Sequence, residues 1–320
     1  MMKTVLAGIA LAVVVVVLGA FTRLVDAGLG CPDWPGCYGH LAIPQTAEEI
    51  RAAEALYPDS PVEADKAWTE MIHRYAASAL GLLILIVAAQ AYRLRPHAPL
   101  KLAIGLALLV MLQGAFGAWT VTLKLWPQVV TAHLLGGFAT LGLLWLLALR
   151  LGLCGGLDVP ARHLRLGLAA LLVLVLQVAL GGWVTSNYAA LACPDFPTCH
   201  GAWAPPMDLA EGFNIFQSVG PNYLGGIMDN EARIAIQIAH RLGAVAVLLV
   251  TGWLGWRLLA SGSPLGTWLL GALALQLSLG IANVLLVLPL WVAVSHNAGG
   301  ALLLLVLVTV NYRAFRGTGS

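Results

Sequence analysis

The sequence predicts an all-α membrane protein with eight transmembrane helices, arranged as two pseudo-symmetric four-helix bundles related by a parallel internal repeat. Three observations carry this: an apolar composition, eight long apolar stretches, and a loop motif that recurs 162 residues further on. Of 320 residues, 60% are hydrophobic and only 10% are charged, with a mean hydropathy of +0.86, whereas a soluble domain carries about a quarter charged residues. Lipid is therefore the solvent for most of the chain. A net charge of +2 with no basic run excludes a nucleic-acid partner, because nothing could track a phosphate backbone.

The apolar stretches lie at 4–22, 71–92, 100–122, 129–150, 163–185, 233–257, 265–287 and 290–312. At 1.5 Å of rise per residue each can cross a hydrocarbon layer of about 30 Å. Lys3 before the first stretch also fits a secretory signal, but the repeat pairs this stretch with the fifth and makes it a helix of the bundle. Cations set the orientation. With the N-terminus inside, the cytoplasmic segments hold Lys3, Arg93, Arg95, Lys101, Arg150, Arg162, Arg165, Arg257, Arg313 and Arg316 against one acid, Asp158. The long loops at 23–70 and 186–232, rich in acids, then lie outside, both termini are cytoplasmic, and the expected location is a cell (inner) membrane.

The repeat is plain in the outer loops, where CPDWPGCYGHLAIP from Cys31 matches CPDFPTCHGAWAPP from Cys193. The same offset pairs Leu18 and Gly19 with Leu180 and Gly181. An offset of 163 pairs Gln113, Gly117 and Val121 with Gln276, Gly280 and Val284. An even number of helices separates the copies, so they run parallel, and the halves divide as 1–155 and 156–320. In the first loop, Thr46 and Glu49 have capping-box spacing ahead of a short helix over 47–56; a comparable but weaker pattern covers 209–216.

Cys31 with Cys37 and Cys193 with Cys199 form two matched pairs in the outer loops, leaving Cys154 at the inner end of the fourth span. Each pair would close a small ring worth about 2 kcal/mol of loop entropy. A structural staple and a redox-active dithiol are both open; the spacing is wider than zinc ligands favour.

Of the eight histidines, His73, His133, His240 and His296 fall near the outer ends of the even-numbered spans. Ionisable residues inside a membrane are functional candidates, and His73 pairs with His240 at offset 167 as His133 does with His296 at 163. Two imidazoles facing one another in a dry bundle suit both axial positions of a heme iron, which gives one heme per half. Arg74 and Arg241, each next to a histidine, could pair with heme propionates or simply snorkel to the interface. Most tryptophans read as interface anchors, with Trp119 and Trp183 as candidate heme neighbours. The halves differ at one place: Glu70 stands three residues before His73, and Gln237 three before His240. That spacing sets each on its histidine's face, so only the first half offers a carboxylate, unless Glu70 is merely a solvated acid near a helix start.

The motifs Glu70-Met-Ile-His73-Arg74, Ala132-His133-Leu134, Ala239-His240-Arg241 and Ser295-His296-Asn297, with the two cysteine loops, resemble the heme A synthase family over nearly the whole chain. The resemblance implies an oxidoreductase that converts the C8 methyl group of heme O to the formyl group of heme A by successive hydroxylations, for heme-copper oxidases. It implies that His73 and His133 hold the substrate heme, that His240 and His296 ligate a permanent heme b, and that Glu70 is catalytic. Cys31 and Cys37 resemble the family's outer disulfide. The implied partners are heme O from a heme O synthase, an unidentified electron acceptor and membrane lipid; a homo-oligomer is allowed but not specified. The rival expectation is a bis-histidine diheme b-type cytochrome passing electrons from quinol to an outer acceptor.

Overall fold

A chain in hydrocarbon must satisfy its backbone N–H and C=O groups internally, and here it does so with helices. The computed structural model describes residues 1–317. Its elements are α1 (Met2–Leu24), α2 (Ala47–Leu56), α3 (Ala64–Arg93), α4 (Leu100–Thr122), α5 (Pro127–Arg150), α6 (Leu164–Ser186, entered through a 3-10 turn at Ala161–His163), α7 (Leu209–Gly212), α8 (Asn230–Ala260), α9 (Leu265–Leu285) and α10 (Leu290–Arg316). Among the described residues, all but α2 and α7 are long and apolar enough to cross a membrane. The eight predicted spans are thus present. Two begin ahead of prediction: α3 starts at Ala64, seven residues early, and α8 at Asn230, three residues early. Their first turns carry Asp65, Lys66, Glu231 and Arg233, so hydropathy sees only the part of each helix that lipid surrounds.

Helix neighbours trace two rings. In the first, α1 packs on α3, α3 on α4, α4 on α5 and α5 back on α1; in the second, the same order runs through α6, α8, α9 and α10. The rings meet where α1, α5, α6 and α10 pack on one another. Burial follows this arrangement. Half of the apolar window of α10 is buried against only 11% for α4, because α10 sits at the seam while α4 faces lipid. The apolar core runs through this seam, with Leu141, Leu144 and Leu147 of α5 meeting Leu303, Leu304 and Leu307 of α10.

Few polar links cross the seam, and each pairs a buried donor with an acceptor, as a dry interior requires. At the end that carries the long loops the Arg23 guanidinium donates to the Tyr188 hydroxyl and the Thr185 carbonyl, both at 2.7 Å, and Tyr188 in turn donates to Asp26 at 2.7 Å. Deeper, the Trp145 indole donates to the Thr309 hydroxyl at 2.8 Å. At the opposite end of the bundle Arg313 donates to the carbonyls of Leu153 and Cys154, tying the end of α10 to that of α5.

The two long loops form a roof over one end of the bundle. Thr46 and Glu49 make the expected capping box at the start of α2, each side chain serving the other's backbone N–H. The second loop is less helical than its sequence pattern suggested, with a single turn at α7 and none beyond Gly212. It is held instead by contacts with the other half. Trp126 and Gln128 at the entrance to α5 donate to the carbonyls of Gln217 and Ile215 at 3.1 and 3.0 Å, and the Tyr223 N–H donates to the Lys124 carbonyl at 3.1 Å. The loop of the second half therefore covers part of the first.

Candidate functional site

The two cysteine loops are near copies in structure as in sequence. Disulfides join Cys31 to Cys37 and Cys193 to Cys199, and an isolated bridge follows each, Cys37 with His40 and Cys199 with Ala202. The recurrent aspartate explains the fold of the motif. Asp33 accepts the backbone N–H groups of Tyr38 and Gly39, and Asp195 accepts those of His200 and Gly201. Tyr38 and His200 have φ of 54° and 53°, a left-handed conformation that an L-residue adopts only when its surroundings hold it there.

Two charges in these loops are displaced from ordinary behaviour. Burial, then the nearby carboxylates of Glu63, Glu54, Glu70 and Asp33, push the Tyr38 hydroxyl up to about 12. Hydrogen bonds from the Thr198 hydroxyl, then from the Gly201 and His200 N–H groups, hold Asp195 down at about 2. A depressed carboxylate stabilises the fold above its unfolded value of 3.8 and stops doing so as pH falls through its folded value. The amides of His200 and Gly201 should accordingly keep their hydrogen-exchange protection at pH 5 and lose it progressively as pH falls from 3.8 to about 2. Protection unchanged at pH 2, or lost already at pH 5, would contradict this role of Asp195.

Arg74 and Arg241 clamp these loops to the bundle. Arg74 donates to the carbonyls of Asp33, Pro35 and Gly36 and pairs with Glu70. Arg241 donates to the carbonyls of Cys193, Asp195, Pro197 and Thr198. Beside the propionate and snorkelling roles that the sequence leaves open, each cation is threaded into a ring of loop carbonyls. Arginine suits this because its planar fork presents several donors at once.

Glu70 is buried, with only 4% exposed, so it is not a solvated acid at a helix start. α3 begins six residues earlier, at Ala64, and places Glu70 inside the bundle beneath the loop. One carboxylate oxygen accepts the Cys31 N–H at 2.9 Å and the other pairs with Arg74. Gln237, its counterpart, is also buried, but its side-chain oxygen has no partner. The asymmetry seen in the sequence thus survives in the environment: one half has a carboxylate bonded to the disulfide loop, the other a neutral amide with an idle acceptor.

Each of the four histidines lies against a glycine of the helix before it. A Cβ added to Gly19 of α1 would stand 3.0 Å from Cε1 of His73; the same construction gives 3.6 Å from Gly117 to His133, 3.4 Å from Gly181 to His240 and 3.0 Å from Gly280 to His296. These glycines are repeat mates, so both rings have the same notch in the same places. His73 and His133 are electrostatic neighbours in the first ring, as are His240 and His296 in the second. Nδ1 of His73, of His133 and of His296 is enclosed with no hydrogen-bond partner.

Glutamine amides border three of the four histidines. Gln177 approaches Nδ1 of His240 at 3.1 Å and Gln276 approaches Nε2 of His296 at 3.4 Å, while Gln113 fills the notch at Gly136, one turn from His133. Gln113 and Gln276 were visible as repeat mates. Gln177 was not, because its counterpart is Val15 and no pairing drew attention to it. The two tryptophans named as candidate heme neighbours have protein partners of their own. Trp119 is 43% exposed and packs edge-on against Phe116, and buried Trp183 donates to the Gly212 carbonyl at 2.8 Å, pinning the second loop.

The donor set limits what these sites can hold. Among the described residues no group of three or more His, Cys, Asp or Glu could bind a metal ion unaided. A metal at a pair of imidazoles must bring its remaining ligands with it, and an iron porphyrin does so with its four pyrrole nitrogens. Paired imidazoles, glycine notches that seat those rings and unpartnered ring nitrogens on three of the four fit heme in both halves.

Comparison with known proteins agrees with this geometry. Residues 3–308 match the family described as cytochrome oxidase assembly protein. A heme A synthase of Shewanella oneidensis is 50% identical over 303 residues, covering 93% of this chain and 92% of that protein. Heme A synthases of Methylobacterium radiotolerans and Nitrosospira multiformis are 33% and 32% identical, covering 97% and 96% of this chain and 88% and 91% of theirs. With eight membrane-spanning helices, matched cysteine loops and near full-length similarity to such proteins, the chain belongs to the cytochrome oxidase assembly protein family, that of the heme A synthases.

Proposed function

We propose that this protein is a heme A synthase, an oxidoreductase that takes heme O as substrate and oxidises its C8 methyl group to a formyl group through successive hydroxylations. The observation that carries the reading is the Glu70 and Gln237 asymmetry within two otherwise matched histidine sites. A protein that only passed electrons between two permanent hemes would have no use for a buried carboxylate in one site alone. Residues 1–155 form the substrate half and 156–320 the half that retains a cofactor, with both termini cytoplasmic and the cysteine loops outside the inner membrane.

In this reading His73 and His133 hold and orient the heme O iron, while Glu70 stabilises positive charge developing at the oxidised methyl carbon or accepts the proton it releases. Exclusion of water by the loop over Glu70 strengthens both effects. The Arg74 clamp and the Cys31–Cys37 disulfide keep that carboxylate in place, because Glu70 is bonded to Arg74 and to the Cys31 N–H. His240 and His296 would ligate heme b, which supplies one-electron transfer from the first site toward an outer electron acceptor. Heme O would arrive from a heme O synthase through the membrane.

The test is chemical. Hemes extracted from a host that makes heme O, with and without this protein, are separated and identified by mass. Hydroxylated heme O and heme A should appear only with the protein; unchanged heme together with two low-spin b centres would establish the diheme cytochrome instead.

A further inference from the structure

We propose that Arg233 is the carboxylate-binding residue of the second site, taking a propionate of the heme held by His240 and His296; this rests on the heme reading above. Arg233, Gln237 and His240 occupy positions i, i+4 and i+7 of α8 and so share one face. Seven residues carry Arg233 about 10 Å toward the outer surface from His240, comparable to the span from a porphyrin iron to the carboxylates at its rim. Arg241 is occupied by four loop carbonyls and is not free to serve.

Arg233 has what Arg241 lacks. Its guanidinium is held by no ring of loop carbonyls, and among the described residues it enters no ion pair, although Asp229 and Glu231 are close in sequence; its Nε, like that of Arg241, is enclosed without a hydrogen-bond partner. The guanidinium packs close to Gly226, where a Cβ would meet Arg233 Nη2 at 3.3 Å, the Tyr188 ring at 3.2 Å and the Asn187 carbonyl at 3.2 Å, which places it beside Tyr188. On that same tyrosine ring lies a second cation, Arg23, with its guanidinium carbon 4.2 Å from the ring centroid. Arg23 pairs with Asp26 at 3.4 Å, so this cluster holds two guanidiniums and one carboxylate. A half-buried cation lacking a counter-charge is costly, and an anion arriving with the ligand removes that cost.

The first half differs at the matching place. The counterpart of Arg233 is Lys66, which is already paired with Glu63 at 2.7 Å. Only the second site thus offers, among the described residues, an uncommitted cation on its histidine face.

The test uses the full-length protein made without heme, reconstituted with iron protoporphyrin IX or with its dimethyl ester. It is read by low-spin absorbance in a His73→Ala background so that the second site reports alone, and repeated in the otherwise unaltered chain. The parent should bind the acid about ten-fold tighter than the ester, as expected for one charge-assisted pair. Arg233→Gln should bind both equally and with the parent's affinity for the ester, which also shows it folded, and Arg233→Lys should restore part of the preference. Undiminished preference for the acid in Arg233→Gln would overturn the assignment. No low-spin spectrum from the parent with either porphyrin would overturn the heme reading itself, and this assignment with it.

Discussion

Glu70→Gln should lower heme A formation by roughly 10²–10⁴-fold, the range that a positioned acid or base contributes, while leaving the bound low-spin heme intact. Gln237 shows why folding should tolerate the change, since the second half buries an amide at the same position of a matching helix. The variant's amide oxygen can still accept the Cys31 N–H, and Arg74 keeps its carbonyl partners in the first loop. The structural penalty is then confined to the loss of one charged hydrogen bond, about 1.5–3 kcal/mol at most. Extracted heme profiles and heme-to-protein ratio measure the two effects separately. A variant with full heme content that still makes heme A at the normal rate would remove Glu70 from the chemistry.

The second large effect concerns the glycines that face the histidines. Gly280→Val should deplete heme in the second half nearly as fully as His296→Ala does, because the added Cβ alone would stand 3.0 Å from Cε1 of His296. Overpacking of this kind costs about 1–3 kcal/mol, and a ligand ring turned away from iron loses its bond as well, so occupancy should fall by about ten-fold or more. Gly271→Val is the control on the same helix, for a Cβ there meets nothing within 4 Å. Heme content and the low-spin spectrum should be unchanged in Gly271→Val. If Gly280→Val also keeps its full heme complement, the notch is mere helix packing and does not serve the ligand.

Much of the candidate site could be read before any fold was known. The four histidines stood out because repetition at offsets of 162 to 167 residues is independent of how helices pack, and the Glu70 and Gln237 difference became visible once the repeats were aligned. Pattern reading was weaker where side chains choose among partners. Nothing local in Arg74 or Arg241 distinguishes a propionate, a lipid headgroup and a ring of carbonyls. That choice depends on loops whose closing contacts come from 33 to 36 and from 193 to 198, some forty residues away in sequence. Gln177 escaped notice for a similar reason, since a single amide in an apolar helix gives no sign of which neighbour it meets.

Sequence alone determined the lipid solvent, the eight spans, the twofold repeat and the identity of the paired histidines. Each of these follows from composition and periodicity along the chain, and lipid permits only one regular solution for a long apolar segment. Tertiary structure decided which cations are neutralised and which remain free. It showed that the second loop roofs the first half through Gln217 and Tyr223, and that a glycine of the preceding span backs each of the four paired histidines. Those facts depend on which faces of separate helices meet, and helix faces in lipid are chosen by packing and hydrogen bonding between segments far apart in the chain.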